Sequence, residues 1–265
     1  MTDNKKGKII FLNGVTSCGK TSVMSFMRKM CETPLFCFSN DIFHSMVSYG
    51  AYDSYWKFVA DTITAQYYAA RGLCEAGYDV IIDGMLLDLP EYKELRGMRN
   101  IELVEEIFSG LEVIMVDITC SPVELRRRNI ARGDRGEGQS DEQLGLMTRD
   151  FRRDITLDAM TVMPDEAARR ILSYCGYRIR PIDDDQINNI AAFRRRFFDA
   201  LFAGSDVKSD ASYEDDMLRV KLWLSEPTSA RNELLLRGYT AVSDDLLVRP
   251  NLDGQPHESI ELYRL

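Results

Sequence analysis

Short runs of continuous apolar residues recur along the first two thirds of the chain, separated by stretches with helical spacing. The first run, Lys8-Ile9-Ile10-Phe11-Leu12-Asn13, has the character of a buried strand. Val23, Met24, Phe26, Met27 and Met30 then fall at helical spacing over 22–30. A second strand is expected over 34–39, ending at Asn40-Asp41, and 42–49 reads as the start of a helix or a loop. Residues 55–74 place Trp56, Val59, Ile63, Tyr67, Ala70 and Cys74 on one helical stripe. Gly77 ends it before a third strand, Asp79–Asp83. The segment 91–108 reads as one helix, and 112–118 as a fourth strand. Ser121-Pro122 followed by Glu124 spells a helix start, and Gly133 a stop. A polar, glycine-rich loop (134–141), a helix (142–151), a fifth strand (154–158) and a helix over 165–174 complete the series.

Strands without polar alternation, interleaved with helices, predict an α/β three-layer sandwich around a parallel five-stranded sheet with both faces covered. From Arg180 the character changes. A helix is expected over 187–202, a polar linker or mobile loop over 204–216, and an alternating strand over 218–224. A helix at 229–236 and strands at 246–248 and 259–263 follow. This is a small C-terminal α+β addition, so the expected domains are 7–178 and 181–265.

Composition narrows the class. At 265 residues and net charge −9, with −6 of that beyond residue 180, the chain offers no broad polyanion-binding surface. Nucleic acid is therefore not the expected partner. No run is long and apolar enough to span a bilayer, and the polar start lacks a signal-peptide core, so a cytoplasmic protein without membrane association is expected. Six scattered cysteines without a C-x-x-C pair read as reduced thiols, and two histidines exclude a histidine-rich metal site.

The candidate chemistry begins at Gly14-Val15-Thr16-Ser17-Cys18-Gly19-Lys20-Thr21, which fits G-x-x-x-x-G-K-[ST] between a strand and a helix. A helix N-terminus presents backbone N–H groups and partial positive charge to phosphate oxygens. Glycines let the backbone wrap closely, the lysine bridges the β- and γ-phosphates and the hydroxyl completes a Mg²⁺ shell. The expected ATP-binding set is Gly14, Thr16, Ser17, Cys18, Gly19, Lys20, Thr21 and Arg128. Cys18 reads as an oxidation-sensitive switch or an inert loop residue.

Ligands of such sheets bind at the carboxyl ends of strands, which directs attention to Asp41, Asp83 and Cys120. Asp41, expected next to the phosphate loop at the end of the second strand, suits a general base taking a proton from an attacking hydroxyl, or an N-cap. Asp83, after the apolar run Val80-Ile81-Ile82 and before Gly84, suits a Mg²⁺ ligand with Thr21, a substrate ligand, or a turn. Arg128 and Arg132 share a helix face, and Arg135 lies just beyond Gly133. Phosphoryl transfer leaves little covalent work to the protein, so arginines on a lid suit Arg132 and Arg135, against the alternative of a solvated basic face. Arg126 and Arg127 read as such a face, as do Arg194-Arg195-Arg196 between phenylalanines.

These features together resemble the chloramphenicol phosphotransferase-like family of P-loop kinases. The matching residues are 9–14 leading into 17–21, Asp41 followed by Ile42-Phe43, Val80-Ile81-Ile82-Asp83, Ala131-Arg132-Gly133-Asp134-Arg135 and the 151–158 region. The resemblance covers about 7–178 and implies a P-loop kinase fold and transfer of the ATP γ-phosphate to a small-molecule hydroxyl. It implies that Lys20 and Thr21 hold phosphate and Mg²⁺, that Asp41 is the base, and that Arg132 and Arg135 serve the lid. Gly84 stands where the family often carries a second acid. The acceptor pocket is expected between the lid and 41–55, near Phe43, Tyr49, Tyr52, Tyr55 and Trp56, which read equally as core. A nucleotide-sugar or macromolecular acceptor, with a protein partner engaged through the tail, is a second reading. An ATP-binding regulatory module controlling the tail is a third.

Overall fold

The computed structural model describes residues 5–133, 138–181, 183–204, 206–214, 217–250 and 256–265. The chain forms two compact units, residues 1–159 with 167–179, and residues 160–166 with 180–265.

The first unit opens with β1 (Lys8–Asn13), α1 (Lys20–Met30) and β2 (Leu35–Ser39), followed by α2 (Asn40–Ser45), α3 (Tyr55–Glu75) and β3 (Asp79–Asp83). Next come α4 (Pro90–Arg96), α5 (Asn100–Ile107), β4 (Glu112–Thr119), α6 (Pro122–Arg132), α7 (Gln139–Leu146), β5 (Ile155–Asp158) and α8 (Pro164–Tyr174), of which Pro164, Asp165 and Glu166 count with the second unit. The strands run in the order β2-β3-β1-β4-β5, and every neighbouring pair is parallel. Strand periodicity accounts for the layers. Ile9, Phe11, Val80, Ile82 and Met115 join a buried cluster with Phe58, Ile63 and Tyr67 of α3 and Ile101, Val104 and Ile107 of α5. Ile10, Leu12, Ile81 and Val116 alternate to the opposite face and are fully buried there. At roughly 1.5–3 kcal/mol per large side chain removed from water, these two layers dominate the unit's stability.

Two boundaries and one strand position differ from the expected ones. The segment 91–108 is two helices, because Gly97 takes φ 73 and stops α4, after which Arg99 N–H donates to Glu102 Oε2 (2.8 Å) at the start of α5. The helix expected at 142–151 is instead α7, ending at Leu146. The chain then turns extended, where Asp88 N–H donates to Leu146 O (2.8 Å) and Thr148 N–H to Leu86 O (2.9 Å). Strand β2 is an edge strand, so β3 lies between it and β1. Asp41 is therefore two strands away from the phosphate-loop strand rather than beside it.

The second unit comprises α9 (Asp184–Leu201), β6 (Val207–Glu214), β7 (Met217–Leu224), α10 (Pro227–Leu236), β8 (Thr240–Ala241), β9 (Leu246–Pro250) and β10 (Pro256–Arg264). Its sheet runs β6-β7-β10-β9-β8, parallel only at β7/β10. The stretch expected as a linker at 204–216 contains β6, paired along its whole length with β7. It reads as polar because an edge strand needs only alternate residues inside, and here Lys208, Asp210, Ser212 and Glu214 face out.

The arginine triplet also departs from expectation. Arg195 and Arg196 are exposed, but Arg194 is fully buried. It donates to Glu258 Oε1 (2.9 Å) and to both carboxylate oxygens of Asp165 (2.8 and 3.3 Å). Arg249 pairs with Glu166 (2.7 Å), and Tyr239 donates to Glu258 (2.7 Å), so an ionic network lies buried within this unit beside apolar residues such as Phe198, Leu222 and Ile260. Burial alone would push Asp165 and Glu258 up. The charges of Arg194 and Arg249 and their hydrogen bonds prevail and hold both carboxyls below the usual range.

Candidate active site

The phosphate loop is built from conformations its sequence permits. Gly14 has φ 154, and a Cβ there would come within 2.5 Å of Ile118 O and 2.7 Å of Cys18 Sγ. Ser17 is the only non-glycine residue with positive φ (65) among the described residues, a cost that loops of this kind carry at functional sites. Gly19, with φ 108, is the N-cap of α1 and has no side chain with which to occupy the helix's first N–H groups.

Three of the expected residues converge at the loop. Thr21 Oγ1 donates to Asp83 Oδ2 (2.6 Å), and Lys20 Nζ lies 3.7 Å from Asp83 Oδ1. Lys20 also donates to the carbonyls of Gly14 (2.7 Å) and Val15 (3.0 Å). All three atoms sit at the carboxyl end of β3 and the start of α1, where the strand order and the parallel pairing of β1 and β3 bring them together. The result is a lysine and a carboxylate largely shielded from water, joined by the hydroxyl of an exposed threonine, beside a helix N-terminus. Such a set suits an anion accompanied by a hard cation. Among the described residues no three of His, Cys, Asp or Glu gather to hold a metal by themselves.

Arg128 reaches the loop from outside. Glu124, buried to 3% exposure, fixes its Nε (2.6 Å), and its Nη1 donates to the carbonyls of Ser17 and Cys18 (3.3 Å each). Its Nη2 donates to Ala159 O (3.0 Å), so the guanidinium ties α6, the loop and the end of β5 together. Arg127 also pairs with Glu124 (2.7 Å), and Arg126 with Asp141. Arg132 is exposed in the last turn of α6, and Arg135 lies outside the described residues. Cys18 is fully buried, and burial lifts the neighbouring Cys120 thiol to about 11.

Asp41 is an exposed residue in the first turn of α2; the N-cap is Ser39, whose Oγ accepts from Ile42 N–H (3.3 Å). His44, one turn on, packs on Phe58 at 5.1 Å, and burial lowers its pKa, partly offset by the charge of Asp41. The aromatics divide in two. Tyr52 and Trp56 pack against the α3–α5 core, whereas Tyr49 and Tyr55 are each 54% exposed. Gly84 has a physical reason for lacking a side chain: a Cβ would lie 2.6 Å from Cζ of Phe11, a fully buried core ring.

Sequence reasoning missed Glu124 and a group that holds Thr16: Gln143 and Ser140 of α7 with Asn129 of α6. Isolated polar residues on helices carry no local signal of burial. Only the contact between α6, α7 and the loop reveals them.

A parallel sheet with a glycine-rich loop at the carboxyl end of its central strand, feeding a helix, defines a phosphate-loop α/β protein. Residues 7–175 match the family described as chloramphenicol phosphotransferase-like protein, and the chain belongs to that family of P-loop phosphotransferases. The region beyond lies outside the match. No protein of curated function matches the sequence significantly. Among solved structures the chain is similar to the APS kinase of Mycobacterium tuberculosis in complex with AMPPNP and APS, at 16% identity, TM-score 0.47, covering 64% of this chain and 98% of that one. It is also similar to the tunicamycin resistance protein of Deinococcus radiodurans (15%, 0.45, 67% and 100%). A third is a gluconokinase from Sinorhizobium meliloti 1021 (18%, 0.43, 65% and 93%). No helix of the described residues is long and apolar enough to cross a membrane.

Proposed function

We propose that this chain transfers the γ-phosphate of ATP to a hydroxyl of a small molecule. The observation that carries the reading is the cluster of Lys20, Thr21 and Asp83 at the start of α1. The loop fits a polyphosphate: glycine at 14 leaves no side chain in the cradle, and Gly19 leaves the first N–H groups of α1 without a capping side chain. Thr21 and Asp83 offer the hard oxygen donors that Mg²⁺ prefers, and they would hold it together with phosphate oxygens and water. When bound, that ion neutralises charge on the transferring group.

The chain's own residues supply the rest. Lys20 exchanges the carbonyls of Gly14 and Val15 for β- and γ-phosphate oxygens, replacing neutral acceptors with charged ones. Asp41 accepts the proton of the acceptor hydroxyl as the oxygen attacks phosphorus, and the ADP oxygen leaves in line. Arg132 and Arg135 serve the transferring group as cations from the lid. Arg128 holds the carbonyls of Ser17 and Cys18 and so helps to fix the path of the loop. The exposed aromatics Tyr49 and Tyr55, on the chain just past Asp41, favour an acceptor with an apolar or ring-bearing part.

The test is Mg²⁺-dependent transfer of labelled γ-phosphate to a panel of small alcohols, with product identified by mass. Phosphoester formation on one class of alcohol is expected. Slow hydrolysis alone across a broad panel would instead favour an ATP-binding module that regulates the second unit.

A further inference from the structure

The backbone of Thr16, in the middle of the phosphate loop, is held from outside the loop by two side chains. Its N–H donates to Gln143 Oε1 (2.8 Å), and its carbonyl accepts from Ser140 Oγ (3.0 Å). Ser140 in turn accepts from Asn129 Nδ2 (2.8 Å), and both of these residues are fully buried. Ser140 and Gln143 lie three apart on α7 and so present one face to the loop.

The other end of α7 is anchored to the same place by a separate path. Thr148 N–H donates to Leu86 O (2.9 Å), and Asp88 N–H to Leu146 O (2.8 Å). Leu86 N–H donates to Asn13 Oδ1 (2.9 Å), and Asn13 Nδ2 to Asp117 Oδ1 (2.9 Å). The hydrogen bonds thus close a circuit from Asn13, immediately before Gly14, through α7, to Thr16, immediately before the left-handed Ser17. A backbone conformation as unfavourable as that of Ser17 persists only where its surroundings over-determine it. Within the loop, the turn bond from Cys18 N–H to Val15 O is long (3.3 Å).

We infer that Gln143, supported by Ser140 and Asn129, is a positioning residue that sets the phosphate loop in its anion-receiving form before nucleotide arrives. This rests on the reading of the loop as an ATP site. Without the acceptor at 143, Thr16 is released on one side and the competent loop conformation loses population. Apparent affinity falls by that fraction, while the groups that would touch ATP remain in place.

The experiment is equilibrium titration of Mg²⁺·ATP into the full chain and its variants, well below their unfolding temperatures. Gln143→Met, of similar size but without an acceptor, is expected to weaken binding by about five- to tenfold, the effect of one lost hydrogen bond to a half-buried donor. Gln143→Glu keeps the acceptor but adds a charge that opposes the phosphates, so all variants are compared at about 0.5 M salt, where it is expected to stay within about twofold of the parent, a rescue that general loosening of the fold would not give. Ser140→Ala is expected to act in the same direction as Gln143→Met and serves if that variant does not fold. Unchanged affinity in Gln143→Met, or equal weakening by Met and Glu, overturns the inference. Lys20→Ala in the same series separates the two claims. If it too binds as the parent does, the ATP site itself is wrong; if it alone loses binding, only the positioning role is.

Discussion

Replacing Arg194 by methionine removes the cation at the centre of the second unit and leaves its volume nearly filled. Arg194 is fully buried and donates to Asp165 and Glu258, which are 5% and 0% exposed. Arg249 compensates only in part, since it is committed to Glu166 at 2.7 Å and stands 3.9 Å from Glu258. Removing one partner of a buried pair costs about 3–5 kcal/mol, because the remaining charge stays desolvated. At about 4–8 °C per kcal/mol for a unit of this size, even ~3 kcal/mol lowers its Tm by roughly 12–24 °C. The chain has two tryptophans, Trp56 in the first unit and Trp223 in the second, so a Trp56→Phe background lets Trp223 emission follow the second unit alone. Urea and thermal unfolding of Arg194→Met in that background should show the full loss, and the exposed Arg195→Met should stay within about 0.5 kcal/mol of the parent. Adding Asp165→Asn and Glu258→Gln should restore part of it. A loss below ~1 kcal/mol for Arg194→Met, or one no larger than for Arg195→Met, refutes the reasoning.

The same network sets a pH dependence. Because Asp165 and Glu258 titrate below their unfolded values, the unfolded state binds more protons in the acid range. Their contribution should be complete above about pH 5 and fall away as pH drops through and below about 4, which acid unfolding followed by Trp223 emission would register. Gly84→Ala places a methyl 2.6 Å from Cζ of Phe11, and denaturant unfolding should report a loss of about 1–3 kcal/mol by overpacking. Asp83→Asn removes the charge beside Lys20 and Thr21. Titrations of ATP with and without Mg²⁺ should show the Mg²⁺-dependent gain in affinity reduced about tenfold or more, while metal-free binding changes little.

What could be read from the sequence follows the range of the forces involved. The β1–loop–α1 element was legible because its geometry is local: Gly14 and Gly19 occupy the conformations their residue type anticipates. The central strands were legible because burial on both faces demands unbroken apolar runs. Arg194 was not, since a basic triplet looks solvated until Asp165 and Glu258, 29 and 64 residues away, are brought to it. Nor was β6, whose outward-facing polar residues mask an edge strand. The break at Gly97 was available in the letters, but the apolar spacing on either side ran through it. At the candidate site, the meeting of Lys20, Thr21 and Asp83 was legible from motif and strand end, whereas Gln143 and Ser140 bind backbone atoms and have no motif of their own.

The most direct measurement is single-turnover transfer of labelled γ-phosphate by the Asp41→Asn variant, made with the alcohol that the parent phosphorylates and with ATP affinity determined in parallel. A carboxylate that takes the acceptor's proton predicts unchanged ATP binding with transfer slowed by a factor of ~10² or more. Transfer at the parental rate with full ATP occupancy would contradict the assignment and leave only the phosphate loop standing.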